Sequence, residues 1–364
     1  MNSKKIAVLA GDGIGEEVMV QALRVLARIG SSYGHEFVLQ KALVGGAAFD
    51  VFGEHFPEET KELCRQSDAV LFGSVGGPVA ATDLKWKNCE VNSILAIRKE
   101  FSFNANFRPA KIYPQLAASS PLKPEIVSGG VDMLIVRELL GDIYFGGHRT
   151  FEEAGKRVAE DVARYDEDQI AAIAKVAFEA ARKRSGGKGG SVTSVDKANV
   201  LGSSRLWRKV VEEVHSDYPD VSLRHIYVDN CAMQLVVNPR QFDVLLAPNM
   251  FGDILSDLAA VLPGSLGLLA SASFNQDGFG LYEPSGGSAQ DIAGQGVANP
   301  LAQILCVAMM LRFSFGLEQE AKVIEDAVDE TLSDGLRTRD IYSDGCRLCN
   351  TVEMADAVLD RMRN

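Results

Sequence analysis

Short, wholly apolar runs alternate along this chain with longer stretches in which apolar residues recur every three or four positions, a pattern of buried strands feeding amphipathic helices. The first unit of this pattern is Ile6 to Leu9, a glycine turn over residues 11–15, and then Glu16 to Ile29 at helical period. Residues 68–78 repeat the buried-strand pattern and run into a glycine-rich loop, and Val91 to Phe101 reads as a helix ending in Arg98 and Lys99. Two apolar strands follow, each with an arginine at or near its end, Arg108 and Arg137. Helices are then expected over Asp168 to Lys183 and Ser204 to His215, with strands over Gly190 to Ser194, Leu223 to Val228 and Phe242 to Ala247. Such alternation predicts an α/β protein with a parallel sheet, whose functional loops gather at the carboxyl ends of the strands. The basic, glycine-rich stretch 183–190 reads as a flexible connection.

The opening strand, glycine turn and helix invite a dinucleotide-fold assignment. They do not meet its spacing, because in Gly11-Asp12-Gly13-Ile14-Gly15 the third glycine comes one residue early. A tight strand-to-helix turn is the expected role of these glycines.

Chemistry enters with Asn249-Met-Phe-Gly-Asp253-Ile-Leu-Ser-Asp257. At i, i+4 spacing the two carboxylates share one helix face and repel unless a cation lies between them. Phe251, Ile254, Leu255, Leu258 and Val261 surround the pair, and the run contains no Lys or Arg. A hard, oxygen-liganded cation such as Mg²⁺ or Mn²⁺ answers this, with at least one further ligand from elsewhere. Arg98, Arg108 and Arg137 suit a substrate with two carboxylates, because each guanidinium pairs with a carboxylate through two parallel hydrogen bonds.

The 364 residues suffice for two domains, with 46% hydrophobic residues to fill their cores. A net charge of -12 argues against nucleic acid or an anionic membrane as partner, since both reward a basic surface. Neither a signal peptide nor a membrane-spanning stretch is visible, so a cytoplasmic protein is expected. The six cysteines, including the pair Cys346 and Cys349, then read as free thiols.

Taken together, the motifs resemble the isocitrate/isopropylmalate dehydrogenase family of metal-dependent β-decarboxylating dehydrogenases. They are Leu9-Ala-Gly-Asp-Gly-Ile-Gly15, Leu71-Phe-Gly-Ser-Val-Gly-Gly-Pro78, Leu95-Ala-Ile-Arg-Lys99, Ile143-Tyr-Phe-Gly146, Asp196-Lys-Ala-Asn-Val200, Val228-Asp-Asn230, the run 249–257 and the segment from Pro284 to Pro300. The resemblance runs nearly end to end. It implies a two-domain α/β fold that is not a Rossmann fold. Residues 1–103 and 264–364 would form a discontinuous cofactor-binding domain around an inserted domain, 104–263, carrying the dimer interface and the metal acids. The partners implied are a small-molecule dicarboxylate substrate and a second copy of the chain, in a homodimer with shared active sites.

Residue by residue, the resemblance implies that Asp253 and Asp257 hold the divalent metal together with Asp229, contributed by the other subunit and also near the substrate. The metal would bind the substrate's hydroxyl and carboxylate and stabilise the enolate. Arg98, Arg108 and Arg137 match the carboxylate clamp, Lys197 the residue that helps remove the hydroxyl proton, and Tyr144, read as a strand-end residue, the general acid that protonates carbon after CO₂ departs. The implied NAD site comprises Gly77, Glu283, Gly286, Gly287, Ser288, Ala289, Asp291, Ile292 and Asn299, with Asp291 accepting hydrogen bonds from the ribose and disfavouring a 2′-phosphate. Two positions depart from the common pattern: Gly286 stands where a histidine is usual and Gln290 where a proline is. Loss of a ring contact and of rigidity leads to an expectation of weaker NAD⁺ binding.

Substrate choice falls to Ile94 and Leu95, where isocitrate-using relatives offer Ser and Asn. Burial of an isopropyl group against them gains roughly 2 kcal/mol, whereas a carboxylate would lie there without a partner. The expected reaction is oxidative decarboxylation of (2R,3S)-3-isopropylmalate to 4-methyl-2-oxopentanoate in leucine biosynthesis. Alternatives are a relative acting on tartrate, malate or homoisocitrate, or a non-catalytic binding subunit.

Overall fold

A computed structural model describes residues 3–78 and 80–363. In chain order the strands of four or more residues are β1 (Lys4–Gly11), β2 (Phe37–Lys41), β3 (Ala69–Ser74), β4 (Ala105–Ile112), β5 (Val131–Glu138), β6 (His148–Glu153), β7 (Lys156–Asp161), β8 (Ser191–Asp196), β9 (Ser222–Tyr227), β10 (Val244–Ala247), β11 (Ala270–Phe274) and β12 (Gly280–Pro284). The chain forms two compact units, one from Met1–Phe101, Tyr113–Pro121 and Pro263–Asn364, the other from Ser102–Ile112 and Leu122–Leu262.

In the first unit the strands run in the order β2-β1-β3-β12-β11. The first four are parallel, and β11 returns antiparallel to β12. Strand β3 is buried along its whole length, which explains its apolar run from Ala69 to Gly73. The helix Gly15–Tyr33 buries Val18, Met19, Ala22, Val25, Leu26 and Ile29, the stripe its periodicity predicts, and each large side chain so buried stabilises the unit by about 1.5–3 kcal/mol. Helix Leu301–Phe313 is apolar almost all round and correspondingly buried from Leu301 to Ile304 and from Cys306 to Leu311.

The glycine turn works as a bracket. Gly11 and Gly13 adopt left-handed φ of 74° and 58°. Asp12, between them, accepts hydrogen bonds from the amides of Gly46, Ala47 and Gly76, tying three loops together. The Ile14 amide donates to the Ser288 carbonyl, so the helix start meets protein where a dinucleotide fold offers its amides to phosphate.

In the second unit the order is β4-β5-β10-β8-β9, parallel except for the β4–β5 pair. Asp166 and Gln169 form a capping box at the start of helix Glu167–Arg184, and Arg182, Lys183 and Arg184 complement its carboxyl end. Trp207 and Phe178 are fully buried against the sheet. Strands β6 and β7 make an exposed hairpin, turning at Ala154 and Gly155 with φ of 51° and 73°.

Two expectations need correction. Val228 does not end a strand: β9 stops at Tyr227, and Val228 opens a helix to Val237 that buries Cys231 and Leu235. Residues 91–101 are not one regular helix either, because a π turn over Val91–Leu95 precedes the α-helical turn Ala96–Glu100. Strand β2 is largely exposed although it opens with Phe37, Val38 and Leu39, the β6–β7 hairpin is exposed and mostly polar, and neither gave a periodic signal. Among the described residues no helix is long and apolar enough to cross a membrane.

Candidate active site

The second unit gathers a polar cluster where β5 ends beside the helix Asn249–Val261. Arg137, buried near the end of β5, donates from Nε and one terminal nitrogen to Asn249 Oδ1 at 3.1 and 2.8 Å, and from the other to Asp253 Oδ1. Tyr144 donates its hydroxyl to the remaining Asp253 oxygen at 2.8 Å, with its ring centre 5.6 Å from the Arg137 guanidinium. Burial, then the hydrogen bond to Asp253, pushes the Tyr144 phenol above its ordinary value, which keeps it protonated. Tyr144 lies in a tight turn after β5, not at a strand end; the turn is set by Asp142 at a left-handed φ of 69°.

Beneath this layer the polar groups are satisfied in sequence. Asn249 donates its side-chain amide to the Gly141 carbonyl and its backbone amide to Tyr165 Oη. Tyr165 donates to Glu138, which also accepts from the Leu140 and Gly141 amides. Burial pushes the Glu138 carboxyl up. Gly252 is small for a reason, since a Cβ there would lie 2.7 Å from Arg137 Cγ.

Arg108 sits in the middle of β4 and donates to Asn106 at 2.9 Å. Asn106 lies opposite Arg137 across the β4–β5 ladder, so Arg108 and Arg137 share a sheet face. Asp257 is exposed and has no hydrogen-bond or ion-pair partner among the described residues. Lys197 follows β8 and lies 2.5 Å from Asp229, in the first turn of helix Val228–Val237; this contact holds the Asp229 carboxyl below its ordinary value.

Among the described residues no three acids, histidines or cysteines converge as a metal site within one chain. Asp253 and Asp257 supply hard oxygen donors one turn apart, and Asp257 is unpaired, which suits a divalent cation that completes its shell with other ligands. Asp229 is not brought to them within the chain; it is brought to Lys197.

Arg98 belongs to the first unit, in a buried ion pair with Glu283 at 3.0 Å at the end of β12, and its Nε is buried without a partner. The π turn before it presents Ile94 and Leu95 half-buried. Gly77 lies so close to the Trp86 ring that a Cβ would be 2.2 Å from it, a packing role rather than a contact with the neighbouring cleft.

That cleft, of about 710 Å³, is walled by Ile14, Val18, Leu266 and Val297, and by Gly286, Gly287, Ala289, Asp291, Ile292 and Asn299 of the predicted set. Ser288 is buried behind it, with its hydroxyl on the Gly76 carbonyl. The Asp291 carboxylate is exposed and unpaired among the described residues. Asn299 is held by Asp340 at 3.0 Å, and Arg339 lines the same space. Sequence reading missed Arg339 and Asp340, two exposed residues in a short polar run with no periodicity to mark it. Apolar walls with one free acid and a few amides suit the adenosine half of a dinucleotide.

The chain is similar to known proteins over nearly its whole length. The family model for isocitrate/isopropylmalate dehydrogenase matches residues 5–358. The chain is 52% identical to the 3-isopropylmalate dehydrogenase of Aquifex aeolicus, covering all of this chain and 98% of that protein. It is 54% identical to the enzyme of the same name from Desulfotalea psychrophila, covering 98% and 99%. Among solved structures, isocitrate dehydrogenase from Methylococcus capsulatus superposes with a TM-score of 0.84 at 34% identity, covering 99% of this chain and 100% of that one. A β-decarboxylating dehydrogenase from Thermococcus kodakarensis gives 0.78 at 34% identity, covering 99% and 96%. With the α/β units, the Arg137–Asp253–Tyr144 cluster and a match across nearly its whole length, the chain belongs to the isocitrate/isopropylmalate dehydrogenase family.

Proposed function

We propose that the protein catalyses the NAD⁺-dependent oxidative decarboxylation of (2R,3S)-3-isopropylmalate to 4-methyl-2-oxopentanoate and CO₂, in leucine biosynthesis, as a homodimer requiring Mg²⁺ or Mn²⁺. The observation that carries this reading is the shared Asp253 carboxylate, one oxygen on Arg137 and the other on Tyr144. It joins a carboxylate-binding guanidinium, a proton donor and a metal-type acid in one cluster.

Asp253 and Asp257 would hold the cation, with Asp229 from a second copy. Bound there, the cation supplies Lewis acidity at the substrate hydroxyl, and NAD⁺ supplies the hydride acceptor. The remaining work falls to side chains. Arg98, Arg108 and Arg137 orient the two carboxylates by paired hydrogen bonds. Lys197 takes the hydroxyl proton as hydride leaves C2. Tyr144, protonated at neutral pH, returns a proton to the carbon that loses CO₂. Asp291 favours a ribose hydroxyl over a 2′-phosphate by charge. Ile94 and Leu95 favour an isopropyl substituent over a third carboxylate.

The test is NADH formation with 3-isopropylmalate, isocitrate, tartrate, malate and homoisocitrate in parallel, with Mg²⁺ and with chelator. Turnover of the first substrate, lost on chelation, is expected. Preference for another substrate would reassign the pocket, and no turnover of any would favour a non-catalytic binding subunit.

A further inference from the structure

The loop that follows β12 departs from its family pattern at Gln290, and this residue makes a contact that a proline cannot. Gln290 Nε2 donates to the Gly76 carbonyl at 2.9 Å. Ser288 Oγ donates to the same oxygen at 2.8 Å, so two side chains flanking Ala289 converge on one acceptor in the loop after β3. Ala289 itself sits at a left-handed φ of 39°, a conformation that an alanine holds only where its surroundings over-determine it. The surroundings do so from three sides. The Ser288 carbonyl accepts from the Ile14 amide at 2.8 Å, and the Ile292 amide closes onto the Ala289 carbonyl at 3.1 Å. The Gly76 residue that receives both side chains is anchored in turn, its amide donating to Asp12 at 3.0 Å.

We infer that Gln290 is a positioning residue for the cofactor: its amide tethers the loop carrying Asp291 and Ile292 to the β3 loop, replacing by a hydrogen bond the rigidity that proline supplies elsewhere in the family. The inference rests on the reading of this loop as the NAD⁺ site. A ring at 290 restricts the backbone at one residue, whereas the amide fixes that residue to a second segment, 214 positions away. The loop is thereby ordered before ligand arrives, and binding does not have to order it. The weaker binding expected from the loss of proline is opposed by this contact.

The test uses Gln290→Met, which keeps length and apolar bulk but removes the donor, beside Gln290→Ala and Ser288→Ala. Amide hydrogen exchange of residues 286–292 is followed without ligand, and NADH affinity by fluorescence titration. Loss of one net hydrogen bond is expected to speed exchange of these amides and to raise the NADH Kd and the KM for NAD⁺ roughly fivefold, with kcat at saturating NAD⁺ within about twofold of wild type. Ser288→Ala combined with Gln290→Met is expected to show an effect different from the sum of the two, because they share an acceptor. Wild-type exchange and wild-type NADH affinity in Gln290→Met would overturn the proposal. Wild-type protein that binds no NADH would instead overturn the NAD⁺ reading, and the ligand-free exchange measurement separates that failure from failure of the tether.

Discussion

Tyr144 and Arg137 grip opposite oxygens of the same carboxylate, Asp253, with the tyrosine ring lying over the guanidinium it shares that acid with. Arg137 is itself fixed by two hydrogen bonds to Asn249, one turn before Asp253 on the same helix. The arginine, tyrosine and acid proposed to bind substrate, donate the proton and hold the metal are thus tied together, and anything that shifts Arg137 disturbs all three.

Gly252 tests that coupling without touching a polar group. A Cβ there would lie 2.7 Å from Arg137 Cγ and 2.9 Å from its Cβ, too close to the root of the buried side chain for its tip to absorb the strain. Gly252→Ala is expected to cost about 1–3 kcal/mol of stability by overpacking. It is also expected to lower kcat/KM on the order of a hundredfold, since small misplacements of reacting groups have effects of that size. Thermal melts and steady-state kinetics check both. A variant that melts lower but keeps wild-type kcat/KM would show that Arg137 can shift without harm.

The opposite situation holds at Gly286, where the usual histidine is absent. A Cβ built there meets only Leu266 Cβ at 3.9 Å. Its φ is not among the left-handed ones, so the backbone accepts a side chain. Gly286→His is expected to leave the fold intact and tighten NAD⁺ binding by about three- to tenfold, through a new ring contact and a less flexible unbound loop. Isothermal titration measures this. An unchanged affinity would mean that the histidine elsewhere in the family serves another purpose.

How far the sequence carried the reading depends on whether a residue's role follows from its neighbours in the chain or from those in space. The β1, β3 and β10 strands were legible because burial on both faces demands an unbroken apolar run, and the stripe from Val18 to Ile29 because burial of one helix face imposes a period. The Asp253–Asp257 spacing was legible for the same kind of reason. Strand β2 and the β6–β7 hairpin were not, being exposed and free of that constraint. The boundary at Val228 failed because a valine serves equally as the end of a strand and the start of a helix stripe. Arg98–Glu283 and Gln290–Gly76 join residues 185 and 214 positions apart, and no local pattern foretells such pairs.

His225 predicts a pH dependence of stability. On β9 it is packed among Arg208, Asp196 and Glu212, with Nε2 3.3 Å from the Glu212 carboxylate. Burial, followed by repulsion from Arg208, holds its pKa below the ordinary 6.5 despite the two acids. The folded state therefore binds this proton more weakly than the unfolded one, and the contribution of neutral His225 is fully present above pH 6.5 and is lost as pH falls from there through the folded-state value. His225→Gln should flatten the fall in Tm over that interval, as melts in matched buffers would reveal. If variant and wild type fell in parallel, the acid sensitivity would have to reside in other groups.

The pairing of Lys197 with Asp229 at 2.5 Å bears on assembly, because it makes the proposed base and the proposed third metal acid a single unit of one chain. In the proposed dimer that unit serves the neighbour's Asp253 and Asp257, so subunits inactivated on opposite sides of the site should complement. In a mixture of Asp229→Asn with Asp257→Asn, each mixed dimer holds one site with both acids intact. Random reassortment then restores about a quarter of wild-type activity, since half the dimers are mixed and each has one good site of two. Lys197→Ala mixed with Asp257→Asn should behave the same way. Lys197→Ala mixed with Asp229→Asn should recover nothing, because every site receives a pair with one member missing. Recovery in that last mixture would place Lys197 and Asp229 in different sites, while no recovery in any would place the whole site within one chain.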